Sequence, residues 1–109
     1  MSTVALTLDE IFELAKKTLL LNGCDDETAS ILSDLIRNAE RDGSASHGLF
    51  RLPAYVAGLK SGKINGKGKP EVKIISSSVI KAEGNNCLAP VVLSKGLPVL
   101  AKAAKENGV

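Results

Sequence analysis

Along the first half of the chain, apolar residues recur at intervals of three and four; after that the rhythm changes. Leu8, Ile11, Phe12, Ala15 and Leu19 make one stripe at the period of an amphipathic helix. Thr7 and Glu10 precede it at capping-box spacing, hydroxyl to N3 amide and carboxylate back to the Thr7 amide. This predicts a helix over 7–22, ended by Gly23. A second stripe, Ala29, Leu32, Ile36 and Ala39, widened by Ile31 and Leu35, predicts a helix over 26–41, stopped by Gly43. Asp25 or Asp26 caps it, and acids fill its first turn, where the helix dipole favours them. The connection "NGCDD" is short, so the two helices are expected to pack as an antiparallel hairpin. Leu49, Leu52, Val56 and Leu59 form a third stripe. An interior proline loses a hydrogen bond and clashes with the preceding turn, so Pro53 belongs in a first turn. The regular helix is therefore expected from about Arg51 to Gly62, with 44–50 as a turn leading in.

Beyond Gly62, "INGKGKP" reads as a flexible basic loop. "EVKIIS" (71–76) and "SVIKAE" (78–83) are rich in Val and Ile and predict two short strands, followed by a turn at "EGNN". Pro90 opens a last helical run to about Glu106, and Pro98, just after Gly96, is expected to kink or restart it. Gly108 has the place of a helix C′ residue, and Val109 that of the first residue of a new strand, which predicts a piece of something longer. The elements together predict an α+β fold: a helical hairpin and third helix, then a small β element and a helix.

Composition narrows the function. The 109 residues make at most one ordinary domain, and aromatics are only 3%, so the core must be aliphatic. The net charge of +2 is spread without a basic block, which argues against a nucleic-acid partner. No apolar run approaches the roughly 20 residues needed to span a bilayer. The N-terminus lacks the pattern of a signal peptide, and Cys24 and Cys87 stand alone, so both read as reduced packing residues of a cytoplasmic protein. One histidine and two scattered cysteines cannot build a zinc site of ordinary spacing, and no phosphate-binding glycine motif is present.

The remaining chemistry lies in "GSASHGLFRLPAYVAGLKSG". His47 is the only histidine, with Ser46 beside it to fix its tautomer or relay its proton, and Gly48 next to it to let a ligand approach the backbone. Arg51 and Tyr55 follow at steps of four, which places them on one helix face; a roughly helical lead-in would add His47. A guanidinium fork suits a carboxylate, and an imidazole suits proton transfer near neutral pH. Such a face fits a small carboxylic acid whose neighbouring carbon changes protonation. An ordinary solvated helix face, in a small helical interaction module, is the competing reading. Glu40 and Asp42 read as helix-end charges.

The stretch "AERDGSASHGLFRLPAYVAGLKSGKI" resembles the signature of the malate/L-lactate dehydrogenase family, which is unrelated to the Rossmann-type enzymes. Ser46, His47, Gly48, Arg51, Tyr55 and Gly62 fall on a pattern of an acidic residue, G-x-x-SHG-x-x-R-x-x-x-Y and a later glycine. The resemblance covers nearly all of this chain and the first third of a typical member. It implies a fragment of a larger non-Rossmann dehydrogenase fold: a helical part at 1–64 and the start of a β-containing cofactor and substrate domain at 65–109. It further implies a homodimeric, NAD- or NADP-dependent oxidoreductase acting on a small 2-hydroxy acid and its 2-oxo partner. A cyclic imine such as Δ1-piperideine-2-carboxylate is the alternative substrate. His47 would be the proton donor and acceptor with Ser46 beside it, and Arg51 would hold the substrate carboxylate with Tyr55 near. No cofactor-binding residue is assigned. The segment "AEGNNCLAP" departs from the glycine-rich pattern of the family, and this chain alone is expected to be inactive.

Overall fold

A computed structural model describes residues 2–108. Helix α1 spans Leu8–Leu21 and begins with the predicted capping box. Thr7 Oγ1 accepts the Glu10 amide at 3.1 Å, and Glu10 Oε1 accepts the Thr7 amide at 3.0 Å. The backbone bond and then the hydroxyl bond of Thr7 hold the Glu10 carboxyl below its ordinary pKa. Helix α2 spans Asp26–Arg41, and its cap is Asp25, whose Oδ1 accepts the Thr28 amide at 2.9 Å. The two helices pack as a hairpin, and their facing stripes supply most of the core: Ile11, Ala15, Leu19, Ala29, Leu32 and Ile36. Cys24 and Leu52 complete it, with Leu49, Tyr55, Leu59 and Leu88 packed on its edge. Phe12 departs from the predicted stripe in a useful way. It is half-buried, with the Arg37 guanidinium 4.8 Å and the Lys16 ammonium 6.0 Å from its ring centre.

The lead-in to the third helix is not one helical stretch. It consists of two single 3-10 turns, Ala45–His47 and Leu49–Arg51, divided at Gly48. Helix α3 follows at Leu52–Ser61, with Pro53 in its first turn and Gly62 closing it in the left-handed region at φ 79°.

The loop after α3 has definite backbone contacts. Its backbone is held on both sides: the Asp25 amide donates to Gly66 O at 2.9 Å and the Asn65 amide donates to Asn86 O at 2.9 Å. Gly66 is buried where a Cβ would stand 2.6 Å from Gly23 O, so its glycine serves close backbone contact. Lys69 Nζ lies 3.2 Å from Asp25 Oδ2 and 3.1 Å from Glu27 Oε2, and Glu27 also pairs with Lys95. These basic partners hold the Glu27 carboxyl below its ordinary pKa, Lys95 first and then Lys69.

Strands β1 (Glu71–Ser76) and β2 (Val79–Glu83) form an antiparallel pair in which Val72 faces Ala82 and Ile74 faces Ile80, with an irregularity between Ile74 and Ser76. Helix α4 (Ala89–Asn107) rests on them and touches α2, burying Val91 and Ala103. It runs through Pro98 without restarting. The proline cannot bond the Ser94 carbonyl, and both residues are exposed. Gly108 caps α4 at φ 73°, as expected, while Val109 lies outside the described residues.

Cys24 and Cys87 are both unpaired, as expected. Burial, and then the neighbouring Asp25 charge, raise both thiol pKa values above the ordinary one. No described helix is long and apolar enough to cross a membrane. The radius of gyration, 16.0 Å, exceeds the ~13 Å of a compact domain of this length. Large apolar side chains are correspondingly exposed, among them Ile74, Ile75, Val79, Leu93, Leu97 and Leu100.

Candidate active site

The polar residues of the SHG stretch meet at one concavity. It is open, holds about 490 Å³, and is lined by His47, Arg51 and Tyr55 on one side and Leu35, Asn38, Ala39, Asp42 and Ser44 on the other. That volume suits a small organic molecule. The i, i+4, i+8 spacing of 47, 51 and 55 brings them together even though Gly48 interrupts the helix between the first two.

Each polar side chain has a definite setting. His47 is exposed, its amide donates to Ser44 O at 2.9 Å, and its ring Nδ1 stands 3.0 Å from Ser46 Oγ. With Nδ1 engaged by the hydroxyl, Nε2 is the nitrogen left for a substrate, whichever tautomer the pair adopts. Arg51 is exposed and its Nε donates to Ser46 O at 2.9 Å. One edge of the guanidinium thus steadies the histidine turn, and its other nitrogens are available to an anion. Tyr55 is not wholly part of a polar face: it is half-buried, packs on the core, and presents its remaining surface to the concavity.

Two sequence readings change. The space beside Gly48 is not open to a ligand. A Cβ there would fall 2.1 Å from Glu40 Oε1, so the glycine makes room for that carboxylate. Glu40 is accordingly no free helix-end charge: its Oε1 accepts the Leu49 amide at 2.9 Å. Asp42 is the end charge it was read to be, since it stands at the C-cap of α2 with Arg41 Nε 2.9 Å from its Oδ1. That bond lowers the Asp42 pKa and raises that of Arg41. Both side chains are exposed, so the pair adds little to stability.

The far wall was missed in the sequence. Leu35, Asn38, Ala39 and Asp42 follow one another at three, one and three along the last turns of α2, which is one helical face. The signal was present as periodicity, but only the folded hairpin shows that this face looks at His47. Among the described residues, no group of three or more His, Cys, Asp or Glu is gathered to hold a metal.

Comparisons with known proteins identify the family and the fold. The chain is 33% identical over 109 residues to Delta(1)-pyrroline-2-carboxylate reductase 1 of Burkholderia ambifaria, covering 100% of this chain and 32% of that protein. It is 38% identical over 101 residues to the malate/(S)-sulfolactate dehydrogenase of Methanothermus fervidus, covering 93% of this chain and 30% of that protein. The crystal structure of delta1-piperideine-2-carboxylate reductase from Pseudomonas syringae pv. tomato superposes with a TM-score of 0.91 at 28% identity, covering 96% of this chain and 32% of that one. The chain thus spans about a third of the length of the relatives it matches. The α+β arrangement found here corresponds to the N-terminal region of such larger structures. The family model described as malate/L-lactate dehydrogenase matches residues 6–109, which takes in the hairpin, the SHG turns and α4 alike, and the chain belongs to that family.

Proposed function

We propose that this chain is the N-terminal third of an oxidoreductase that interconverts a small 2-hydroxy acid and its 2-oxo acid, with His47 as proton donor and acceptor. The observation that carries the reading is the gathering of His47, Arg51 and Tyr55 on one concavity, with His47 Nδ1 engaged by Ser46. In the direction of reduction, the carbonyl oxygen gains negative charge, and imidazolium at Nε2 protonates it. In reverse, neutral His47 takes the hydroxyl proton. Arg51 binds the substrate carboxylate and so fixes the carbonyl beside the imidazole. Tyr55 lies beside Arg51 on the same wall.

The reaction type calls for a hydride carrier, NAD or NADP. The concavity suits a small acid, and no residue of this chain is assigned to the carrier. What this chain supplies is binding and proton transfer.

A cyclic-imine substrate is the second reading, favoured by the relatives named pyrroline-2-carboxylate and piperideine-2-carboxylate reductases. The same two residues serve it: Arg51 at the carboxylate, and His47 at the ring nitrogen in place of the carbonyl oxygen. The reading extends to a cytoplasmic homodimer, with residues 1–64 as the helical part and 65–109 opening the β-containing part. The exposed apolar rows of α4 and the β-hairpin support burial against further protein.

In the complete enzyme, His47→Ala is expected to lower kcat by about 10²-fold or more. Near-normal turnover would remove His47 from the mechanism. Arg51→Lys is expected to raise KM above all, because an ammonium cannot form the bidentate pair; an unchanged KM would make Arg51 structural. Turnover of 2-oxo acids against cyclic imines, with each nicotinamide cofactor, decides between the two substrates.

A further inference from the structure

The catalytic reading leaves one carboxylate without a role. Glu40 lies in the last turn of α2, half-buried, and among the described residues no basic side chain pairs with it. It is committed instead to a backbone amide. We infer that Glu40 is a positioning residue for His47, a role that rests on the proton-transfer reading above.

The geometry supports this from three sides. First, Glu40 Oε1 accepts the Leu49 amide at 2.9 Å, across nine positions of chain. Leu49 opens the second 3-10 turn, and no side chain of its own segment caps it. The donor would otherwise be orphaned, and a carboxylate bond to it is charge-assisted. Second, the three atoms that a Cβ on Gly48 would meet first, at 2.1, 2.6 and 2.8 Å, all belong to the Glu40 side chain. The buried glycine next to the histidine therefore serves the acid. Third, His47 sits between two pins. Arg51 Nε holds Ser46 O at 2.9 Å on one side, and Glu40 holds the Leu49 amide on the other. The imidazole itself is exposed, so core packing does not aim it. Besides the Ser46 hydroxyl at Nδ1, its direction comes from the backbone on either side, and Glu40 ties that backbone to α2.

A small variant set tests the assignment. Glu40→Gln retains a carbonyl oxygen for the same amide; Glu40→Ala does not. Glu40→Ala is expected to lower amide-exchange protection at Leu49, read by NMR, by about 10-fold or more, the weight of one hydrogen bond to a charged group. In the complete enzyme it is expected to lower kcat by about 10-fold with a smaller change in KM, as a loosened proton-transfer geometry does. Glu40→Gln is expected to recover most of both. Gly48→Ala should resemble Glu40→Ala, and the double variant should be no worse than either single one, because removing the acid frees the space. Additive losses, or a Glu40→Gln as impaired as Glu40→Ala, would overturn the inference. If Glu40→Ala does not fold, Leu49 protection in Gly48→Ala decides instead, and unchanged protection there also overturns it. His47→Ala, measured alongside, separates the two claims. Normal turnover in His47→Ala defeats the catalytic reading and this one with it. Normal turnover in Glu40→Ala beside an impaired His47→Ala defeats the positioning role alone.

Discussion

The α1–α2 hairpin and the β1–β2 hairpin are written in similarly apolar sequence, yet they treat it in opposite ways. In the first, Leu19, Leu32 and Ile36 are wholly buried. In the second, Ile74, Ile75 and Val79 stand 71%, 59% and 51% exposed. Two amphipathic helices bury much of their stripes against each other, and Leu52 with its neighbours covers the edge. A two-stranded sheet has two faces and no layer of its own to cover them, and such a hairpin alone is marginal in water. Here α4 lies across it, and the described residues offer no second layer. The pattern of a sequence thus says which residues want burial, whereas the topology decides which of them obtain it.

The contrast can be broken most sharply at the core of the helical hairpin. Leu32→Ala, at a site with no exposure, should cost about 3 kcal/mol, measured as a fall in the urea midpoint at constant m-value. A loss below about 1 kcal/mol would show that the hairpin is not the stability centre. Gly66→Ala is next, at about 2 kcal/mol, since the added methyl meets backbone at 2.6 Å rather than a side chain that can turn aside. Thermal melts would show it, and a neutral outcome would mean the loop can shift away from Gly23. Removing the α2 cap by Asp25→Ala should cost about 1 kcal/mol by the same measurement.

Asp25 also gives the hairpin a pH dependence. Its partial burial alone would raise its pKa, but hydrogen bonds from Thr28 and the Lys69 ammonium outweigh that and hold it below the ordinary value. A carboxylate with a depressed folded pKa contributes fully above the ordinary value of about 4 and loses its contribution as pH falls below it. The urea midpoint should therefore drop on moving from pH 5 to 3, and less so in Asp25→Asn, which keeps a capping oxygen without the charge. An equal drop in both proteins would assign the acid limb elsewhere. The smallest effect belongs to the strand: Ile74→Ala should stay within about 0.5 kcal/mol, as an exposed side chain has little burial to lose. A core-sized loss there would overturn the comparison outright.

What the sequence showed well is what local chemistry decides. The Thr7–Glu10 box, the Asp25 cap and the stripes of α1 and α2 each involve residues within a few positions of one another, and all of them formed except at Leu8 and Leu35, which stay exposed. The grouping of His47, Arg51 and Tyr55 was equally legible, because it rests on steps of four. Misread features depend on what arrives from elsewhere in the chain. "INGKGKP" has the composition of a mobile loop, yet Gly66 and Gly68 are glycines because Gly23 and then Asn65 and Cys87 occupy the space where a Cβ would go. Gly48 invited the idea of an approaching ligand, and the approaching group is Glu40. Pro98 promised a break in α4, but the helix continues through it at an exposed position.

The ion-pair network around Glu27 bears on the order in which the molecule assembles. Its carboxylate joins Lys69, 42 positions onward, and Lys95, 68 positions onward. During synthesis the α1–α2 hairpin can close while neither lysine yet exists, since its contacts are short in sequence. The pairs at Glu27 therefore join the later half of the chain to a hairpin whose own contacts are closer in sequence. Because these side chains are partly exposed, dissolved salt weakens the pairs more than the apolar core. Rising ionic strength should therefore narrow the difference in urea midpoint between Glu27→Gln and the unsubstituted protein, and an unchanged difference would show that the pairs are not screened.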